Sequence, residues 1–467
     1  MLKFGTDGVR GVANAELTPE LVLALGRAAA RVLGGERFGI GRDTRRSGPM
    51  LEAALAAGLA SEGADVTLLG VTPTPEVAWW SASEGVPAAV VSASHNPFAD
   101  NGIKLFAAGG RKLPDDVEDR LEAELHALHG APSQPGRPRP AGGADHPTGS
   151  TTSPATGSAL GVLRRVEVHE GYCASIVESL DGRRLDGLRA VTDCANGAAS
   201  VVAPAVLRQL GVDVEVIHAA PDGSNINDGC GSTHPEALRR KVVELDADVG
   251  IAFDGDADRV LLVDAGGELV DGDQIIAICS IDRQARGALP HDTVVVTVMA
   301  NLGLRQSLRQ RGIQLIDTSV GDRYVLEALE AGGYALGGEQ SGHVIFRDLA
   351  TTGDGLLTAV QTLDAVVRSG RPLAEVAAAA MTRLPQVLRN VEVVRRDPDI
   401  ARRLAGDIAA VESRLGERGR VLVRLSGTEP LVRVMVEAPT SAEAVSAADE
   451  LVEAVETLTG STPRRSP

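Results

Sequence analysis

Val86-Pro87-Ala88-Ala89-Val90-Val91-Ser92-Ala93-Ser94-His95-Asn96-Pro97 is an apolar run that ends in a polar loop. The run Val86 to Val91 is short and continuously apolar, so it reads as a buried strand. The loop it feeds is then placed to hold a hydroxyl in a fixed position. Working upstream, Asp65 to Leu69 is a second strand and about Pro49 to Glu62 a helix. Arg37 to Gly41 is a third strand, preceded by an Ala/Leu-rich helix that opens on Thr18-Pro19 as N-cap and first-turn proline and stops at Gly34-Gly35. This alternation of strands and helices predicts layered α/β packing.

Downstream the pattern breaks and then resumes. Ala131 to Ser158 is rich in Pro, Gly, Ser and Thr, has almost nothing to bury, and reads as a disordered linker or surface insertion. Strand Arg189 to Thr192, helix Ala199 to Leu210, strand Asp213 to Ile217 and strand Val249 to Phe253 make a second block. A third runs from Arg259 to about Val367, with strands at Val260 to Val263 and Thr293 to Val298 and helices at Gln274 to Ala285, Leu302 to Arg311 and Asp322 to Glu330. The three blocks are of similar size without a clear residue-level repeat. The last segment mixes strands at Leu384 to Val394, Val421 to Leu425 and Leu431 to Glu437 with helices at Ile400 to Leu415 and Ala442 to Thr457, as a small α+β domain would. The expected partition is 1–158, 159–253, 254–370 and 371–467, in keeping with a chain too long for one core.

The chain has 467 residues, with 46 Lys and Arg against 63 Asp and Glu, a formal net charge of −17 and only 2% aromatics. It offers neither a basic field nor stacking platforms, so no nucleic-acid partner is expected. Cys173, Cys194, Cys230 and Cys279 form no C-x-x-C pair and have no histidine at zinc spacing, as in a reduced cytoplasmic protein. The N-terminus lacks a signal-peptide stretch and no apolar run reaches the length of a membrane span, so no membrane association is expected either.

A second motif, Asp254-Gly255-Asp256-Ala257-Asp258-Arg259, follows the strand Val249 to Phe253. As an EF-hand it fails: the sixth position is Arg259 instead of Gly, and the twelfth is Ala265 instead of Glu. Three carboxylates on alternate residues just past a buried strand are costly unless neutralised, and Mg²⁺ would neutralise them while leaving room for a phosphate oxygen. Arg259 suits a phosphate and not the metal. Ser94 beside His95 resembles a nucleophile and its base, but neighbouring side chains diverge, and a turn in which Ser and Asn satisfy backbone groups is the alternative.

Two further loops suit anions and hydroxyls. Arg424-Leu425-Ser426-Gly427-Thr428-Glu429-Pro430 lies between two strands with Arg433 beyond it; if the strands pair, both guanidiniums reach one end of the hairpin and clamp a phosphate. Gly338-Glu339-Gln340-Ser341-Gly342-His343 presents a carboxylate, a hydroxyl and an imidazole to sugar hydroxyls. Weaker signals are Arg10 after Gly5-Thr6-Asp7-Gly8, Lys104 after Gly102, and Arg323 after Gly321-Asp322, each a cation beside a glycine.

Together these motifs resemble those of the α-D-phosphohexomutases. F-G-T-D-G-V-R-G from Phe4, S-A-S-H-N-P from Ser92, D-G-D-A-D-R from Asp254, G-E-Q-S-G-H from Gly338 and S-G-T-E-P from Ser426 occur in that family's order across nearly the whole chain. N-I-N-D-G-C-G-S-T-H-P at Asn225 to Pro235 and V-G-D-R-Y-V at Val320 to Val325 are similar to its glucosamine branch. The resemblance implies three similar mixed α/β domains around a central cleft plus a smaller C-terminal α+β domain. It implies a phosphorylated Ser94, which with Asp254, Asp256 and Asp258 holds one Mg²⁺. Arg10, Lys104 and Arg259 would assist phosphoryl transfer. Glu339, Ser341 and His343 would hold the sugar, while Arg424, Ser426, Gly427, Thr428 and Arg433 would bind the phosphate that is not reacting. The implied reaction interconverts glucosamine 6-phosphate and glucosamine 1-phosphate through a 1,6-bisphosphate, feeding amino-sugar nucleotide and cell-wall precursor synthesis. Phosphomannomutase or phosphoglucomutase activity is the alternative, and a non-catalytic sugar-phosphate sensor the more distant one. A homodimer is compatible with the sequence. Leu425 stands where the family usually has proline, and 131–158 is an insertion.

Overall fold

The computed structural model describes residues 8–129, 155–393, 395–426 and 430–460. Gly5-Thr6-Asp7 of the first glycine loop, Gly427 and Thr428 of the Arg424 loop, and all but the last four residues of the 131–158 insertion lie outside the described residues. The chain forms two compact units, one of Met1–Val298 with Gln314–Ala377 and one of Met299–Ile313 with Ala378–Pro467.

The first unit contains three sheets built on one plan. In the first, strand Arg37–Arg42 lies between Asp65–Val71 and Ala88–Val91, parallel to both, and Asp100–Ala107 returns antiparallel beside Ala88–Val91. In the second, Arg189–Asp193 lies between Asp213–Ile217 and Val249–Phe253, and Val260–Asp264 returns antiparallel. In the third, Thr293–Thr297 lies between Gln314–Thr318 and Leu336–Gly338, and Val344–Phe346 returns antiparallel. Ala88–Val91, Val249–Phe253 and Thr293–Thr297 are buried at every residue, which is why they read as unbroken apolar runs. Each sheet sets its third strand's carboxyl end and the turn that follows it at the same place. Those turns are the Ser94 loop, the Asp254 loop and the Glu339 loop, at the strand ends where open α/β sheets bind ligands.

Two expected domain boundaries need correction. A break at 253/254 would cut the hairpin in which Phe253 pairs with Val260, and the second sheet continues to Leu269–Val270. A break at 158/159 would detach Leu163–Arg165, which adds a parallel edge strand to Asp65–Val71 of the first sheet. Sequence patterning also passes over helix Thr74–Glu84. It is buried at Thr74, Pro75, Glu76, Val77, Ala78, Trp80 and Ser81, so it lacks the solvent face that makes a helical period visible.

The second unit carries an antiparallel sheet ordered Gln386–Glu392, Leu431–Glu437, Arg420–Leu425. Helix Ser441–Thr459 covers it, opened by a capping box between Thr440 and Glu443. The expected helix Ile400 to Leu415 is two, Ile400–Arg403 and Ala405–Leu415. Helix Leu302–Gln310 packs here too: Leu302 N–H donates to buried Glu437 Oε2 at 2.9 Å, and Asn301 exchanges hydrogen bonds with the Leu384 backbone. Among the described residues no helix is long and apolar enough to cross a membrane.

Candidate active site

Ser94 sits one turn past strand Ala88–Val91 in a left-handed backbone conformation, φ +52°, which is uncommon for a residue other than glycine. Its hydroxyl is buried and donates to Asp254 Oδ2 at 2.5 Å, with His95 Nδ1 at 3.2 Å. The left-handed turn therefore does what adjacency alone does not, bringing the imidazole back toward its neighbour's hydroxyl. Arg259 Nη1 lies 3.1 Å from His95 Nδ1. A guanidinium can only donate, so that nitrogen is the unprotonated one. Burial, reinforced by Arg259 and Arg10, lowers the His95 pKa to about 4 and keeps the ring neutral at neutral pH.

Asp254, Asp256 and Asp258 are all buried, and one ligand atom from each lies within 4.8 Å of the others. Lys104, on strand Asp100–Ala107, donates to Asp256 Oδ2 and Asp258 Oδ2, both at 2.9 Å. Thr74, at the start of the helix that sequence patterning missed, adds a hydroxyl to Asp256 Oδ2 at 2.7 Å. The three carboxyls thus differ electrostatically. Burial, then Asp258 and Asp256, pushes Asp254 far above the usual carboxylate range. Burial acts on Asp258 as well, but Lys104, His343 and Arg259 outweigh it and hold that carboxyl well below the range. For Asp256, burial and Asp258 are outweighed by Lys104 and Thr74, and its pKa falls.

The set fits a hard divalent cation. Asp256 Oδ1 and Asp258 Oδ1 are buried carboxylate oxygens with no hydrogen-bond partner, and such atoms are expensive to desolvate unless something positive meets them. A second cluster, Asp193, His218 and Cys230, does not share this property. Asp193 accepts from Ala195 N–H, His218 Nδ1 and Gly231 N–H, so both its oxygens are already used.

Arg10 lies on strand Val9–Val12, paired with Gly102 beside Lys104. Glu339 accepts from Gly321 N–H at 3.1 Å, Ser341 is exposed, and His343 is buried with Nε2 3.3 Å from Asp322 Oδ2. Arg323 is not an anion site. It is buried and paired with Asp115 and Glu118 of helix Asp115–His129, while Lys112 pairs with Asp322, so the Gly321-Asp322-Arg323 turn binds the first and third domains to each other. In the second unit the register sets Arg424 directly opposite Arg433. Burial, then the facing guanidinium, pulls the Arg424 pKa below its ordinary value. Ser426 is buried next to them, and its carbonyl accepts from Arg396 at 2.8 Å.

Two residues that support the Ser94 loop were not singled out from the sequence. Arg45 is fully buried, anchored to Asp43, and donates to the carbonyls of Ser94 and Asn96; Asp43 Oδ2 in turn accepts from Ser92 Oγ. The signal was the run Asp43-Thr44-Arg45 at the end of strand Arg37–Arg42, a carboxylate and a guanidinium at the mouth of a buried strand.

Models of four domains cover the chain: phosphoglucomutase/phosphomannomutase α/β/α domains I at 1–130, II at 170–267 and III at 271–384, and the C-terminal domain at 388–454. A phosphoglucosamine mutase from Frankia alni is 54% identical over 467 residues, covering 97% of each chain. The crystal structure of a phosphoglucomutase/phosphomannomutase family protein from Burkholderia thailandensis matches with TM-score 0.79 at 25% identity over 99% of each chain. The N-acetylphosphoglucosamine mutase of Aspergillus fumigatus, solved in complex with GlcNAc-6P and magnesium, shares the fold with TM-score 0.66 at 18% identity, over 98% of this chain and 96% of that one. A buried serine facing three aspartates, repeated sheets that present it, and four matched domains lead to one conclusion: the chain belongs to the phosphoglucomutase/phosphomannomutase family, the α-D-phosphohexomutases.

Proposed function

We propose that the chain interconverts glucosamine 6-phosphate and glucosamine 1-phosphate, with Ser94 carrying the phosphoryl group between the two ends of the sugar. The observation that supports it most is the Ser94 hydroxyl, held in left-handed backbone 2.5 Å from a buried carboxylate of the aspartate triad. The choice of sugar follows the relative that is 54% identical over nearly the full chain.

In this reading the Ser94 Oγ–P bond breaks as phosphorus bonds to the free sugar hydroxyl, and the proton that hydroxyl loses ends on the released Ser94 oxygen. The 1,6-bisphosphate reorients and returns its other phosphate to Ser94. Asp254, Asp256 and Asp258, with phosphorylated Ser94, would hold Mg²⁺, which would offset charge on the transferring group. Arg10, Lys104 and Arg259 supply the remaining positive charge, and Glu339, Ser341 and His343 hold the sugar. Arg424, Ser426, Gly427, Thr428 and Arg433 bind the phosphate that does not react. The setting proposed is the cytoplasm.

Comparing kcat/KM for glucosamine, glucose and mannose phosphates tests the sugar assignment. Glucosamine phosphate should be preferred, since the Glu339 carboxylate favours an ammonium as well as hydroxyls. A preference for mannose phosphate would keep the chemistry and overturn the sugar. Inertness toward all three, with Mg²⁺ supplied and Ser94 phosphorylated, would favour a sugar-phosphate sensor.

Arg424→Ala should cost roughly 1.5–3 kcal/mol of transition-state binding per charge-assisted hydrogen bond lost, a ten- to hundredfold fall in kcat/KM. Its thermal midpoint should hold or rise, because Arg433 loses a facing like charge. Unchanged kinetic constants in the folded variant would refute the phosphate clamp.

A further inference from the structure

The loop Asn225 to Pro235 belongs to the second domain, yet one of its side chains reaches the serine loop of the first. Asn227 Nδ2 donates to the carbonyl of Ser94 at 2.9 Å and to that of Asn96 at 3.1 Å. These are the two carbonyls that Arg45 also holds, at 3.0 and 2.8 Å. The Ser94 N–H is fixed as well, donating to Ser92 Oγ at 2.9 Å. A left-handed serine persists only where its surroundings over-determine it, and here its N–H and its carbonyl are both secured.

Asn227 is itself firmly placed. It takes the left-handed conformation that asparagine tolerates, φ +57°, and its N–H donates to Ala195 O at 3.0 Å. Further along the loop, Ser232 N–H donates to Phe253 O at 2.8 Å, the last strand residue before Asp254. The backbone of the aspartate loop passes so close that a Cβ on Gly255 would lie 2.6 Å from Ser94 O and 2.9 Å from Asn227 Nδ2. One asparagine therefore touches the serine loop, abuts the aspartate loop, and sits on a segment bonded to the strand that feeds the latter.

We infer that Asn227 is a positioning residue for phosphoryl transfer, setting the Ser94 hydroxyl against Asp254 by tying the serine backbone to the second domain. This rests on the mutase reading and adds to it a residue that does not act by contact with the sugar or the reacting atoms. The lever is alignment, and errors near 1 Å in a reacting pair cost about a hundredfold in rate.

The test uses the whole protein with glucosamine 6-phosphate and saturating Mg²⁺. Asn227→Gly removes the amide while keeping left-handed backbone accessible, and Asn227→Asp keeps shape but turns the donor into an acceptor facing two carbonyls. Both should lower kcat roughly 10- to 100-fold with KM within about threefold of wild type, the aspartate more than the glycine. Single-turnover transfer from phosphoserine to sugar should slow by the same factor, with thermal midpoints still well above the assay temperature. A kcat within threefold of wild type in both variants, a fall in kcat matched by a rise in KM, or both variants unfolding at the assay temperature would overturn the inference. A wild-type protein inert toward glucosamine, glucose and mannose phosphates removes the mutase reading itself. An active wild type with unaffected variants removes only the role of Asn227.

Discussion

Ser94→Ala should abolish turnover while leaving a folded protein, with kcat falling by a factor on the order of 10⁴ to 10⁶, the range seen when a nucleophile is deleted. Every route through the cycle needs this oxygen, first as donor of the phosphoryl group and then as its acceptor. The fold has little stake in it: the hydroxyl's side-chain partners are Asp254 and His95, and alanine meets the same left-handed cost that serine already bears. Phosphopeptide mass spectrometry of the wild type should find the phosphoryl group on Ser94 and none on Ser92, whose hydroxyl is committed to Asp43 at 2.8 Å. Phosphate on Ser92, or an active Ser94→Ala protein, would end the assignment.

The second large effect separates stability from activity. Asp254→Asn should destroy activity, about 10³-fold or more, yet raise the thermal midpoint of the metal-free protein by a few degrees. Asp254 is buried against two other carboxylates, and burial with that repulsion already drives its pKa up. An amide of the same shape escapes both penalties: its oxygen can accept from the Arg259 N–H, as Oδ1 does at 3.1 Å, while its NH₂ donates to the Ser94 hydroxyl. With Mg²⁺ present the wild type should recover the difference, since the cation stabilises the native triad by mass action and the variant binds it less well. A midpoint in the variant that falls without metal would show that the ionised triad contributes to stability.

Legibility tracked burial. The central strands were visible because residues such as Val249 to Phe253 and Thr293 to Thr297 are covered on both faces and so read as apolar runs. Their end loops were visible because the residues there are too polar for the positions they occupy. Helix Thr74–Glu84 was hidden by the same burial, since it shows almost no wet side. The serine loop's supports were hidden for another reason. Asn227 lies more than a hundred residues from Ser94, and only the fold reveals that its amide and the Arg45 guanidinium converge on the same carbonyls. Arg323 shows the converse: a glycine-flanked arginine looks like a phosphate ligand until helix Asp115–His129 brings two carboxylates to it.

Three sheets of one plan, each offering the turn after its third strand, divide the labour of the site. In the proposed mechanism the first offers the nucleophile, the second the residues that could hold a cation, and the third a grip for the sugar. Each loop is carried by its own sheet yet braced by its neighbours, as Thr74 and Lys104 brace the aspartates and Asn227 braces the serine loop. If that loop holds the sugar, substrate choice can drift by changes confined to residues 339–341, which leave His343 and its influence on Asp258 in place, so an exchange there should retune which hexose is accepted while the serine chemistry persists. The same partition means that no single repeat, expressed alone, has a complete reaction to perform.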